Sequence, residues 1–146
     1  MRSDMITEDF VSFNVAKLLK EKGFDELCIF KYNSEGVRMK AGVAIDEWQN
    51  SELDDDECSC VSHQMATKWL REVHKLLISV DASPIYGKVK DEKGRNTCGL
   101  LYWYYMASGE WMNDKYNPQQ KAFVVSGKSY EEAVEAACIY SLEKLI

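Results

Sequence analysis

No apolar run among the 146 residues approaches the roughly 20 needed to cross a bilayer as a helix, so a membrane partner is not expected. The first residues, Met1 to Asp9, lack the apolar core of a secretion signal, and the expected location is cytoplasmic. Cysteine is too sparse and too scattered for a disulfide framework. The five, Cys28, Cys58, Cys60, Cys98 and Cys138, are odd in number and read as reduced thiols, with Cys28, Cys98 and Cys138 in apolar, core-like segments. Proline occurs twice, at Pro84 and Pro118, and both positions read as breaks. Histidine also occurs twice, and neither His63 nor His74 has a nearby Ser or Cys that would make it a catalytic base. A Gly-rich phosphate loop and a nucleophile elbow are both missing. The sequence therefore names no catalytic residue, no cofactor-binding residue and no metal ligand, and the expectation leans away from an enzyme.

What is present fits one globular domain spanning residues 1–146. The net charge of −6 disfavours nucleic acid as the default partner, because phosphate contacts need clustered Lys and Arg. The charge is unevenly spread. Residues 25–60 carry ten acids and three bases, whereas residues 61–95 carry seven bases and four acids.

Periodicity places three helices. The first is capped by Thr7 or Asp9, buries Val11, Val15, Leu18 and Leu19, and ends at Gly23 with Phe24 folding back. The second starts after Ser62 and carries the stripe Ala66, Trp69, Leu70, Val73, Leu76 and Leu77, with Trp69 as a core anchor. It gives way to extended chain near Leu76. The third opens on a reciprocal capping box, Ser129 with Glu132, and shows a face of small residues, Ala133, Val134, Ala136 and Ala137, suited to close packing on a sheet.

Strands are expected at 27–32 and 37–40 around the turn Asn33–Gly36, at 85–90 and 96–106 around a turn with Gly94 in the left-handed position, and at 122–125. Residues 41–48 either continue the first sheet past Gly42 or leave it. Ala82–Pro84 reads as a break, and residues 107–110 as a turn. The expected fold is an α+β domain in the order α-β-β-α-β-β-β-α, with a mainly antiparallel sheet and helices packed on it.

Three stretches carry a resemblance. They are Ala16 to Phe24, Gln64 to Lys75, and Tyr130 to Ala137 with the chain end Leu145-Ile146. This combination resembles small uncharacterised proteins of gut-bacterial prophages and mobile elements. It covers the helices, under half the chain, and leaves out 41–61 and 82–122. The resemblance implies a cytoplasmic accessory protein of phage type and transfers no catalytic residue or ligand.

Four constellations deserve weighing against plainer readings. Cys58, Cys60 and His63 offer three metal-capable groups within six residues, but structural zinc wants four, so loop cysteines beside a helix start is the reading. Asp54, Asp55, Asp56 and Glu57 lack the ligand spacing and glycine turn of a calcium loop, and segment 49–60 reads as an exposed, disorder-prone loop. Lys88, Lys90, Lys93 and Arg95 lie near Tyr86, Tyr102 and Tyr104, a mixture that single-stranded nucleic acid would use for phosphate contact and stacking. A solvated hairpin tip is the plainer reading. In the uncharged strand 97–106, Leu101, Trp103 and Tyr105 point one way, and Leu100, Tyr102, Tyr104 and Met106 the other. Such a strand is either central or leaves one aromatic face for a partner, with a homodimer or burial by 107–118 as the two ways to cover it.

The function expected from these residues is binding of a protein, or of a second copy as a homodimer, by a non-enzymatic accessory protein. The alternatives are a nucleic-acid-binding module using the hairpin 86–104, or a small enzyme or ligand binder whose site is assembled from distant residues.

Overall fold

The structure is a computed structural model. It describes residues 7–90, 92–109, 122–125 and 129–146, and for 83–90, 96–102, 104, 108–109 and 122–125 it describes the backbone. The fold is α+β. Its order is α1 (Phe13–Glu21), β1 (Phe30–Tyr32), β2 (Arg38–Lys40), β3 (Cys58–Ser59), α2 (His63–His74), β4 (Leu76–Lys90), β5 (Asn96–Gly109), β6 (Ala122–Val125) and α3 (Tyr130–Tyr140). The expected order holds with β3 added. All strand ladders among the described residues are antiparallel, but they form two sheets, β2-β1-β3 and β4-β5-β6, where one was expected. The reason is β3: two residues long, too short to show an alternating pattern, it completes the first sheet on β1. The described residues fall into two compact units, one running to Trp69 with Ile146, the other Leu70–Leu145.

In the first unit α1 begins later than its sequence suggests. Ser12, in extended conformation, is the cap, and its hydroxyl accepts from the Val15 amide at 3.2 Å. Thr7 and Asp9 do not cap it. Residues 9–11 instead run alongside 61–63, with the Val11 amide donating to the Val61 carbonyl at 2.9 Å and the His63 amide to Asp9 at 3.0 Å. Val11 is fully buried from this extended segment, not from a helix face. The C-terminal end of α1 is as expected. Gly23 has φ +93°, its amide donates to Lys20, and the Phe24 amide donates to Leu19, the paired bonds that satisfy otherwise orphaned carbonyls. Phe24 then packs edge-on against Trp69, ring centroids 5.4 Å apart, and both are buried.

The β1–β2 turn forms as expected, with the Asn33 side chain accepting from the Glu35 and Val37 amides at 3.0 and 2.9 Å and Gly36 at φ +77°. Residues 41–48 leave the sheet after the Ala41 amide bonds Ile29 and rejoin it at Trp48, which exchanges both backbone bonds with Cys28.

Segment 49–60 is ordered, contrary to expectation. Asn50 is buried and its side chain acts in both directions: Nδ2 donates to the Phe24 carbonyl at 2.6 Å, and Oδ1 accepts from the Ser59 amide at 2.8 Å. Lys20 reaches over from α1 and donates to the carbonyls of Asp54 and Glu57 at 2.6 and 2.7 Å. Glu57 pairs with Lys31 at 2.7 Å, which holds its carboxyl below the usual carboxylate range. Asp54, Asp55 and Asp56 keep their side chains in solvent, so the acid run is satisfied by water while its backbone is tied down.

In the second unit β4 runs through the expected break. Register shifts between Pro84 and Tyr86 and between Tyr86 and Val89 absorb the proline, which an edge strand tolerates because one row of its amides needs no ladder partner. β5 is the central strand and extends to Gly109, three residues past its expected end, pairing with Leu76–Ile78. Gly94 takes the expected left-handed conformation, φ +74°. α2 stops at His74, and Lys75 adopts φ 57° before β4 begins, so Val73 stands 56% exposed instead of completing the stripe. α3 starts as expected, the Ser129 hydroxyl accepting from the Glu132 amide at 3.2 Å. Its small residues Ala133 and Ala137 are fully buried, and the helix packs on β4 and β5 around Tyr105, Ala107, Ile78 and Val80 before closing in a π-helical turn, Ser141–Leu145.

Two substitutions check this account by urea denaturation. Ser12→Ala is expected to cost about 1 kcal/mol, whereas Thr7→Ala stays within about 0.5 kcal/mol. Asn50→Ala, which leaves a buried amide and a buried carbonyl without a partner, is expected to cost about 3 kcal/mol, and Asn50→Asp, which removes only the donor, is not expected to restore it.

Candidate functional site

The pieces of the first unit that the helices and sheet leave uncovered converge on one concavity. Residues 8–10 form one wall because their backbone is laced to 61–63. Glu26 to Phe30, extended on the way into β1, form the facing wall. Met65, in the first turn of α2, closes one end. Together they enclose about 190 Å³, open to solvent on one side. The floor is buried Phe24, Cys28, Cys60 and Val61. Phe10 and Phe30 meet edge to face at 4.9 Å on the side. The lip is apolar and exposed: Leu27 at 56%, Ile29 at 47% and Met65 at 42%. Glu8 and Glu26 are the charged members of the lining.

The backbone around this groove is already engaged. The Cys28 amide and carbonyl both bond Trp48, the Ile29 carbonyl accepts from Ala41, and the Phe30 carbonyl accepts from Cys60. With these groups taken, recognition of a visitor falls mainly to side chains. One cation stands close, Arg38, whose guanidinium lies over the Phe10 ring at 4.5 Å and the Phe30 ring at 5.2 Å. Its charge is turned onto the aromatic faces.

Cys28 is the thiol nearest to being a nucleophile by position, and its environment works against that role. Burial, then the neighbouring Cys60, push it up to about 11, with Glu26 and Glu47 adding to the rise. At neutral pH the thiolate fraction is then of order 10⁻⁴.

The cysteines and histidine singled out by spacing are core residues. Cys58 and Cys60 are buried on and beside β3, and His63 is buried at the start of α2. Cys58 belongs to a strand, while Cys60 lies in the connection to α2 as expected, but buried. Burial pushes Cys58 up to about 11, with Lys20 opposing. Cys138 is raised to about 12 by its burial in α3. Among the described residues no group of three or more His, Cys, Asp or Glu is placed to hold a metal ion.

For the basic hairpin, Glu92 to Arg95 are exposed at the tip, while the side chains of Lys88, Lys90, Tyr86, Tyr102 and Tyr104 lie outside the described residues. The aromatic strand resolves on one face. Tyr105 is 2% exposed beneath α3, and Trp103 packs edge-on against Tyr130 at 5.5 Å, so the chain's own helix packs on one of the strand's two faces. Of the other face, Met106 is partly buried, and the side chains of Leu100, Tyr102 and Tyr104 and burial by residues 110–118 lie outside the described residues.

The groove was not anticipated. Its members fall off the periodic stripes: Phe10 precedes its helix, Met65 lies beside the α2 stripe, and Leu27 and Ile29 alternate with buried Cys28. The alternation that turns both Leu27 and Ile29 away from Cys28 was the signal available. Among the described residues no helix is long and apolar enough to cross a membrane. Comparison with protein-family models, with curated proteins and with solved structures finds no match to this chain.

The buried thiols give a pH prediction. The folded-state values of Cys28, Cys58 and Cys138 stand above an ordinary thiol's 9, so the folded chain keeps protons that the unfolded chain releases. Their contribution is complete below pH 9 and lost as pH rises through about 11 to 12. Urea midpoints of the reduced protein should fall across that alkaline window. In a Cys98→Ser variant, cadmium titrated at neutral pH should produce no thiolate–metal absorption until denaturant is added.

Proposed function

We propose that this protein is a non-enzymatic accessory protein that acts by binding another protein through the groove of its first unit. One observation carries the reading: an open concavity of about 190 Å³ with an apolar floor and a lip of exposed Leu27, Ile29 and Met65. Exposed bulky apolar residues around a concave apolar floor are the composition of an anchor pocket at a protein interface. The raised Cys28 thiol supports binding over catalysis, since a nucleophile is activated by the opposite shift. A cytoplasmic setting in a gut-bacterial prophage or mobile element belongs to the same proposal and rests on the helix resemblance. A second copy is a candidate partner only through a surface other than the one α3 covers.

A second reading, nucleic-acid binding, is favoured by the ribbon. β6 pairs with β5 only at Tyr104–Ala107, and the paired backbones of β4 and β5 run on to Lys90 and Asn96 with an exposed tip at Lys93 and Arg95. Salt-sensitive binding of labelled oligothymidine, lost in Lys88→Ala plus Lys90→Ala, would support it.

The first reading is tested by photo-crosslinking in the cells that make the protein. A benzophenone amino acid at Ile29 should give discrete adducts that disappear in Met65→Glu. The same probe at Val73, somewhat more exposed on α2, should not give them. Identical adducts at both sites, or none at Ile29, would overturn the reading.

A further inference from the structure

The groove's charge and volume say what kind of segment it takes. We propose that its occupant is a basic amphipathic segment of a partner protein, one that seats a single bulky apolar side chain on the floor and places Lys or Arg over the rim. This rests on the protein-binding reading above and deepens it.

Volume sets the anchor. A dry apolar cavity of roughly 150 Å³ accepts a benzene-sized molecule, so about 190 Å³ holds one Phe, Leu or Met side chain with little left over. It is too small for a helix face and too apolar for a charged group. The buried floor offers Phe24, Val61 and the two thiols, none of which would hydrogen-bond a polar anchor well.

Charge sets what flanks the anchor. Glu8 and Glu26 line the groove and are exposed. Glu47 is a further carboxylate near enough to act on Cys28 in the floor, and it too is exposed. The surrounding segment 25–60 carries ten acids and three bases. Lys31 is held by Glu57 and the Trp48 ring and Arg38 lies over the Phe10 and Phe30 rings, while Lys40 is an exposed residue of β2. Ten acids against three bases therefore set the rim carboxylates in a net negative surround beside an apolar surface, where a cation is attracted more strongly than in open water.

Backbone pairing sets the mode. The Cys28, Ile29 and Phe30 groups already described are taken, so the segment is read mainly through side chains. Anchor-in-groove recognition with flanking charges is the mode that remains.

The test is fluorescence anisotropy with three labelled peptides of equal length. One alternates lysines with a central Phe and Leu. The second replaces its lysines by glutamates. The third keeps the lysines and replaces Phe and Leu by alanine. The first should bind, the other two about tenfold more weakly or worse, and its affinity should fall with salt. Glu8→Gln, Glu26→Gln and Glu47→Gln together should weaken the first peptide about tenfold and flatten its salt dependence, while Met65→Glu should weaken it without flattening. If the lysine and glutamate peptides bind equally and both lose affinity in Met65→Glu, the basic partner is overturned and the groove's role in protein binding stands. If no peptide binds while light scattering shows a dimer that Met65→Glu splits, the occupant is a second copy and the proposal fails. If none binds and Ile29 gives no crosslink, both readings fail together.

Discussion

A single buried amide holds the first unit in register. Asn50 joins the carbonyl of Phe24, where α1 has just ended, to the amide of Ser59 in β3, so the end of a helix and an edge strand are fixed to each other through one side chain. A backbone amide and a backbone carbonyl that would otherwise be buried without partners are satisfied at once. Phe24 is thereby placed under Trp69, and Cys60 and Val61 are carried to where residues 9–11 can lace onto them. The groove floor is made of these same residues. Its shape is therefore a consequence of where Asn50 puts the chain, and the two lysine contacts from Lys20 to the acidic loop hold the same segment from its other side.

Periodicity made the helices and the central strand legible because each buries a repeating stripe. Trp69, Leu19 and Ala137 follow directly from spacing, and the Ser129 and Gly23 end signals act through bonds only one turn long. Segment 49–60 was misread for a physical reason. Its acids point outward and dominate composition, whereas its order comes from backbone carbonyls that accept from the Lys20 ammonium and from the amide of Asn50, and neither partner is visible in local sequence. The start of α1 moved to Ser12 because the backbone of residues 9–11 found a partner more than 50 residues away, which outcompetes a local cap. Pro84 read as a break because its missing amide matters in a central strand. On the edge, with a register shift to absorb it, the strand continues.

The groove lay beyond sequence reasoning for a related reason. Alternation around Cys28 marks Leu27 and Ile29 as facing away from it, but it does not say whether another element covers them. Coverage is a tertiary fact. The aromatic strand shows the converse: Tyr105 was as much a candidate for exposure as Ile29, and α3, with its small residues, comes close enough to cover it.

That contrast bears on function. Ala133 and Ala137 bring α3 onto Tyr105, so the second unit spends its small-residue face hiding its largest apolar strand. The first unit has no such cover over 27–29 among the described residues, and it leaves Leu27, Ile29 and Met65 in water while burying less bulky Cys28, Cys58 and Cys60. Leaving about half of a bulky aliphatic side chain in water forgoes roughly 1 kcal/mol of burial each. Three such residues around one concavity, with carboxylates at the rim keeping it hydrated and soluble until it is filled, is the arrangement of a surface whose burial is completed by a partner. The negative rim also decides against the commonest nonspecific occupants of exposed apolar surface, anionic lipid headgroups and nucleic acid, because each would set phosphate against Glu8 and Glu26. Apolar floor and acidic rim together thus act as a filter. The floor demands an apolar anchor, and the rim rejects anchors that arrive with negative charge.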